Sequence, residues 1–316
     1  METHDAKIKF KIHLPKNNVK NRKFIIAEFE RLLMFAYNET KSNNKKQMLF
    51  QMNYYFGECS TINKERYNAE KKWLNNQEQK DSFFILFADG EVCIESKSES
   101  GYLTGCYAFF EIIGCVFLYP GKNFELFNDE KLPESKLKDI NSLSVRKTPC
   151  FSKRGIILNV NLRNLLNWID YAPKVGLNCI AINYFNKKIE EEAKKEADLR
   201  GIMFELRVQT LGDDFCTHRQ YSFDCSENNL MKYLSHVQKN QMNLYCFQNE
   251  GFHKKCSCKK IEKLTSFSNQ LMYRLNLLIQ NPLIISNKKL FYLAVENAWK
   301  VPKENPHPNI GLVLMP

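Results

Sequence analysis

The first third of the chain alternates between two hydrophobic rhythms. In KIKFKIHL, lysines alternate with Ile8, Phe10, Ile12 and Leu14, the period-two pattern of a half-buried strand. FIIAEFERLLMFAY then places Ile25, Phe29, Leu32, Leu33 and Ala36 at helical spacing. KQMLFQMNYYF is a second strand candidate, and the polar stretch from Ser60 to Gln79 reads as loop plus a short surface helix. In FFILFADGEVCIES, Asp89-Gly90 sits between two strand-like runs, a hairpin signal because such a turn needs positive φ at both central positions. Tyr102, Cys106, Phe109, Phe110 and Ile113 then share one helix face, with Gly114 as a stop before another apolar run. The expectation is an α+β layer with helices on one face of a sheet over residues 1–121.

Residues 122–150 are charged, carry Pro133 and Pro149 and show no sustained period, so they read as a linker. From Phe151 the rhythm becomes strict β-α alternation. RGIILNV, NCIAINYF, IMFELRVQ, NLYCFQNE, KLFYLAVEN and NIGLVLMP read as strands. LRNLLNWIDYAPKVG, with Leu162, Leu165, Leu166 and Ile169 facing in, reads as a helix, as do KKIEEEAKKEADLRG, NNLMKYLSHVQKN and TSFSNQLMYRLNLLIQN. The near-continuous apolar character of the strands implies a parallel sheet covered on both faces. A doubly wound sheet and a (β/α)₈ barrel both fit. A barrel needs about 250 residues, and the segment 151–316 is well short of that, so a barrel would hold six strands and stop before closure.

Composition adds limits. The 316 residues are 44% hydrophobic, enough for a sizeable core, and contain no apolar run long enough for a membrane span. The opening METHDAKIKF lacks the apolar region of a secretory signal, so a cytoplasmic location is expected. The net charge of +11 comes from lysines scattered among asparagines, as in KNNVKNRK and KSNNKK, which reads as a solvated surface rather than a nucleic-acid footprint. Cys93, Cys106, Cys179 and Cys246 sit in apolar runs, where a reduced thiol behaves as a small hydrophobe.

Some of these segments resemble known families. GYLTGCYAFFEIIGCVFLYPG, with Gly101, Gly105, Tyr107, Glu111, Gly114, Cys115, Tyr119, Pro120 and Gly121, resembles the end of the N-terminal α+β domain of family 67 α-glucuronidases, a fold shared with family 20 hexosaminidases. PCFSKRG and WIDYAPKVGLNCIAI resemble the entry to the neighbouring barrel, with Arg154, Trp168, Asp170 and Asn178 at matching places. The segment from CSCKK to the end resembles an uncharacterised bacterial barrel family that follows such domains. It departs at Ile261, where that family has a third cysteine, at Asp213, where a histidine is expected, and at Val295, in place of a tyrosine.

The resemblance implies a hexosaminidase-type layer followed by a partial (β/α)₈ barrel, and hydrolysis of O-glycosidic bonds with no organic cofactor. In that family the barrel continues beyond the strand matching NIGLVLMP, so the chain is expected to be truncated, with an open sheet edge prone to self-association.

Glycoside hydrolysis uses two carboxyl groups about 5–9.5 Å apart, and parallel barrels carry their chemistry where strands end. Glu250, after LYCFQN, and Glu296, after FYLAV, are the candidate couple, with Asp213 and Asp214 as further strand-end acids. Arg154 invites two readings, a planar fork on a sugar or an ion pair within the protein. Trp299 could stack on a sugar or pack in a loop. His253, Cys256 and Cys258, with Cys216, His218 and Cys225 upstream, fall short of a four-ligand zinc pattern, so no metal is expected. The alternative to a hydrolase is a non-catalytic sugar-binding or degenerate remnant of one. The sugar and linkage are not written in these residues.

Overall fold

The computed structural model describes residues 11–13, 21–40, 48–57, 62–128, 140–158, 160–183, 187–211, 244–248, 290–294, 302–303 and 305–314, with scattered positions between 266 and 279. It is a mixed α/β protein. The chain divides into two compact units, one of Met1–Ile156, Val160–Ile180 and Glu191–Met203, the other of Ile157–Asn159, Ala181–Glu190 and Phe204–Pro316.

The first unit is built on a five-stranded sheet of β1 (Lys11–His13), β2 (Asn53–Phe56), β3 (Phe83–Ala88), β4 (Glu91–Ser96) and β7 (Ser144–Lys147), in the order β1-β2-β4-β3-β7. Strands β3 and β4 form the expected hairpin, with Phe83 opposite Ser96 and Ala88 opposite Glu91. The turn puts Asp89 at φ 53° and Gly90 at φ 80°, the left-handed pair that the Asp-Gly dipeptide tolerates. Strand KQMLFQMNYYF is shorter than its apolar length implies: Met48–Gln51 is a 3₁₀ turn, and only Asn53–Phe56 pairs.

All six side chains of β3 are buried, because both faces of this sheet are covered. On one face Phe83, Ile85 and Phe87 pack against helices α1 (Arg22–Glu39) and α3 (Glu99–Ile113) through Phe29, Leu32, Phe109 and Phe110. Phe109 touches Phe29, Tyr54, Phe87 and Phe110 with ring centroids 5.2–5.9 Å apart. On the other face Phe84, Leu86 and Ala88 meet Tyr67 and Leu74 of α2 (Lys64–Asn75). This corrects the expectation of helices on one face only. Helix α2 is the short surface helix expected in the polar stretch from Ser60 to Gln79; it buries just Tyr67, Glu70 and Leu74 and leaves the rest to solvent.

Helix α3 starts at Ser98, whose hydroxyl accepts from the Gly101 N–H, and stops at Gly114, at φ 120°. Gly105 lets it approach the sheet closely: a Cβ there would sit 2.9 Å from Ile94 Cγ2. The run after the helix forms β5 (Cys115–Phe117), which pairs with β6 (Glu125–Phe127) in a separate two-stranded ribbon.

Residues 122–150, read as a linker, therefore carry β6 and β7. Strand β7 pairs with β3, Lys147 opposite Phe83 and Ser144 opposite Leu86. As an exposed edge strand it carries Arg146 and Lys147 instead of an apolar alternation, a common way to keep an edge from aggregating, which also hides it from pattern reading.

The second sheet has six strands, all at places the alternation predicts: β8 (Gly155–Leu158), β9 (Cys179–Asn183), β10 (Met203–Leu211), β11 (Leu244–Gln248), β12 (Leu290–Ala294) and β13 (Ile310–Leu314). Their order is sequential, from β8 through β13, and β10-β11, β11-β12 and β12-β13 are parallel. Helices α4 (Leu162–Tyr171) and α5 (Lys187–Leu199) connect the first three. Among the described residues the sheet is open, with β8 and β13 at its edges. Of the two remaining expected helices, NNLMKYLSHVQKN lies outside the described residues and the later one is described only at scattered positions. No helix among the described residues is long and apolar enough to cross a membrane.

Replacing Phe109 by alanine is expected to cost about 3–5 kcal/mol, the usual loss for a large aromatic core side chain. Urea unfolding of the variant beside the parent checks it.

Candidate functional site

In the second unit three consecutive parallel strands are each followed in sequence by candidate residues. β10 stops at Leu211, just before Asp213 and Asp214; β11 stops at Gln248, two residues before Glu250; β12 stops at Ala294, two residues before Glu296 and five before Trp299. Leu244 pairs with Leu290, Tyr245 with Phe291 and Cys246 with Tyr292, and the same sequence offset separates Glu250 from Glu296. The two segments carrying these glutamates thus leave neighbouring strands in register. Asp213, Asp214, Glu250, Glu296 and Trp299 themselves lie outside the described residues, as do His253, Cys256 and Cys258.

Arg154 is described, and it lies just before β8. Its guanidinium is already in use. Nε donates to the Gly176 carbonyl at 2.7 Å, Nη1 to the Phe151 carbonyl at 2.7 Å and Nη2 to Asp81 Oδ2 at 2.9 Å. Of its two readings, the ion pair is the one these atoms form. Asn178, matched by the family resemblance, completes the same node: its Nδ2 donates to Asp81 Oδ2 and to the Ser152 carbonyl, and its Oδ1 accepts from the Arg154 N–H, all at 2.8 Å. Asp81 also accepts from the hydroxyls of Ser98 and Ser100. Burial alone would raise the pKa of Asp81, but the bonds from Ser100, Ser98, Arg154 and Asn178 outweigh it and hold the carboxyl below its ordinary value.

A second polar chain runs through the interior of the first unit. Lys174 has 2% of its side chain exposed and places its ammonium 2.8 Å from Glu125 Oε1 and 2.5 Å from Asp170 Oδ2. Glu125 also takes both Nη atoms of Arg31, at 2.6 and 2.9 Å, and Arg31 forks onto Glu28 at 2.7–2.8 Å. Asp170 accepts from Arg200 at 2.9 Å, and Arg200 reaches Glu196 at 2.8 Å. Tyr107 and Phe117 present their ring faces to Lys174 at 5.7 and 5.8 Å. Burial would raise the pKa of Asp170, but the charges and hydrogen bonds of Lys174 and Arg200 bring it below its ordinary value.

Asp170 was visible through the resemblance, whereas Lys174, Glu125, Arg31 and Asp81 carried no mark. The only local trace was the i, i+4 spacing of Asp170 and Lys174, which many solvent-facing helix pairs share. Cys93, Cys106 and Cys179 are buried without a disulfide, as their apolar surroundings predict.

No protein-family model matches the sequence, and no curated protein matches it. Solved structures do. A family 20 exo-β-N-acetylglucosaminidase of Vibrio harveyi, in complex with N-acetylglucosamine, matches 97% of this chain over 54% of its own, with a TM-score of 0.54 at 10% identity. A β-N-acetylhexosaminidase of Bacteroides fragilis matches 96% of this chain over 65% of its own, with a TM-score of 0.55 at 10% identity. A family 138 enzyme targeting pectin rhamnogalacturonan II matches 90% over 44%, with a TM-score of 0.52 at 9% identity.

The fold is glycoside hydrolase-like. The likeness extends over nearly the whole of this chain, while the chain spans about half to two thirds of the length of these three structures, 44–65%.

Two outcomes are expected from the interior polar chains. Lys174→Met leaves two buried carboxylates without their shared cation and should destabilise the protein by about 3–5 kcal/mol, measured by chemical unfolding. Asp81 and Asp170 both have folded pKa values below the ordinary 3.8, so their contribution is complete above that value and is lost as pH falls through the lower folded ones. Urea midpoints should therefore fall as pH drops below about 4, and Asp170→Asn should be less stable at neutral pH with a flatter acid dependence.

Proposed function

We propose that the protein acts on carbohydrate, hydrolysing O-glycosidic bonds as a relative of hexosaminidases and α-glucuronidases, on a partial (β/α)₈ barrel. The observation that carries this is the parallel pairing of β10, β11 and β12, each followed within three residues of sequence by an acid: Asp213-Asp214, Glu250 and Glu296. Reacting groups of parallel barrels sit where strands end. Neighbouring strands lie about 4.7–4.9 Å apart, a spacing on the scale of the carboxyl separations that glycoside hydrolysis uses. Glu250 is the general acid or base, Glu296 its carboxyl partner, Asp213 and Asp214 further polar contacts to substrate, and Trp299 a stacking surface for a sugar ring. The solved structures support the same reading: one holds N-acetylglucosamine, and another is named for a pectin substrate.

A second reading is a sugar-binding protein without turnover. A degenerate remnant of a hydrolase belongs to the same alternative, and Arg154 accords with it, since its fork is spent on Asp81 and two backbone carbonyls.

Hydrolysis of aryl N-acetyl-β-glucosaminides and aryl α-glucuronides separates the two. The hydrolase reading expects turnover by the parent and a loss of about 10²–10⁴-fold in kcat for Glu250→Gln and for Glu296→Gln, the usual contribution of a general acid or base. Saccharide binding with no turnover by the parent selects the second reading.

A further inference from the structure

The first unit holds a groove of about 690 Å³. It lies beside edge strand β7, between the outer flank of α3 and the turn Ala172–Val175. Its size falls in the range of small-molecule sites, about 300–1,000 Å³.

The lining combines two surfaces. Phe83, Ala108, Pro149 and Val175 are apolar, whereas Thr104, Thr148, Glu111 and Lys147 are polar. The other ions that line it are committed elsewhere: Asp81 to Arg154, Lys174 to Glu125 and Asp170, and Arg146 to Glu70 through two hydrogen bonds. That leaves Glu111 and Lys147, loosely paired at 4.0 Å with 42% and 56% of their side chains exposed. A carboxylate only accepts and an ammonium only donates. Side by side with no net charge, they match adjacent hydroxyl groups, each of which both donates and accepts. A phosphate or carboxylate would find the acid in its way.

We propose that this groove binds a neutral saccharide unit, its hydroxyls bridging Glu111 and Lys147 and its C–H face lying on the apolar wall. The proposal rests on the reading of the protein as carbohydrate-active and adds a saccharide site on the first unit, lined by none of the residues assigned to the reaction.

The test titrates N-acetylglucosamine into the full chain carrying Glu250→Gln and Glu296→Gln, followed by calorimetry and protein NMR, with glucuronate and inorganic phosphate as charged comparators. N-acetylglucosamine should bind saturably and more tightly than either anion. Joint replacement Glu111→Ala and Lys147→Ala should weaken binding about tenfold or more, the scale of hydrogen bonds to charged groups. Val175→Trp, from a position 44% exposed, should fill the groove and abolish the binding. Circular dichroism and unfolding midpoints establish that both variants keep the fold. No binding, binding that survives both changes, or a preference for glucuronate or phosphate overturns the proposal. Absence of turnover by the parent with groove-dependent binding intact overturns the hydrolase reading instead, and leaves the groove standing.

Discussion

Removing an ammonium group from water costs several kcal/mol unless carboxylates take water's place. Lys174 meets that demand with Glu125 and Asp170, and much of the first unit follows from where those two acids must come from. Glu125 opens β6 and Asp170 is near the end of α4, so the ammonium joins the β5-β6 ribbon to α4. Arg31 carries the connection on to α1, and Arg200 carries it past the end of α5. The first compact unit does not stop where the β-α alternation begins, but extends through Ile180 and resumes at Glu191, and this network lies wholly within it.

The Asp81 node acts in parallel. Arg154, Asn178 and two serines converge on one carboxylate just before β3, so segments far apart in the sequence of the first unit are tied to one point. Two residues marked by the family resemblance, Arg154 and Asn178, serve this junction. Residues held in common with a family can hold a scaffold as readily as touch a ligand.

Periodicity found nearly every element with a strong apolar rhythm: the α1 and α3 helices, the Asp89-Gly90 hairpin and all six strands of the second sheet. It missed β7, whose burial is narrow and which exposes most of its four side chains. A strand at an edge is stabilised by its neighbour, so its own composition resembles loop. Helix α2, which buries three side chains among twelve residues, was legible as a short surface helix but not in its bounds. The polar networks were hidden for a related reason, since a charge has no period and its partner can lie 94 positions away, as Glu125 does from Arg31.

The amino-acid order by itself determined the alternation of strand and helix, the tight turn at Asp89-Gly90 and the acids that follow β10, β11 and β12, because these depend on local backbone preferences and on short-range spacing. Only the tertiary structure decided the covering of both faces of the first sheet, the strand order, the commitment of Arg154 to Asp81 and the burial of Lys174. Those depend on the pairing of distant groups as water is excluded, and no local window of sequence contains both partners.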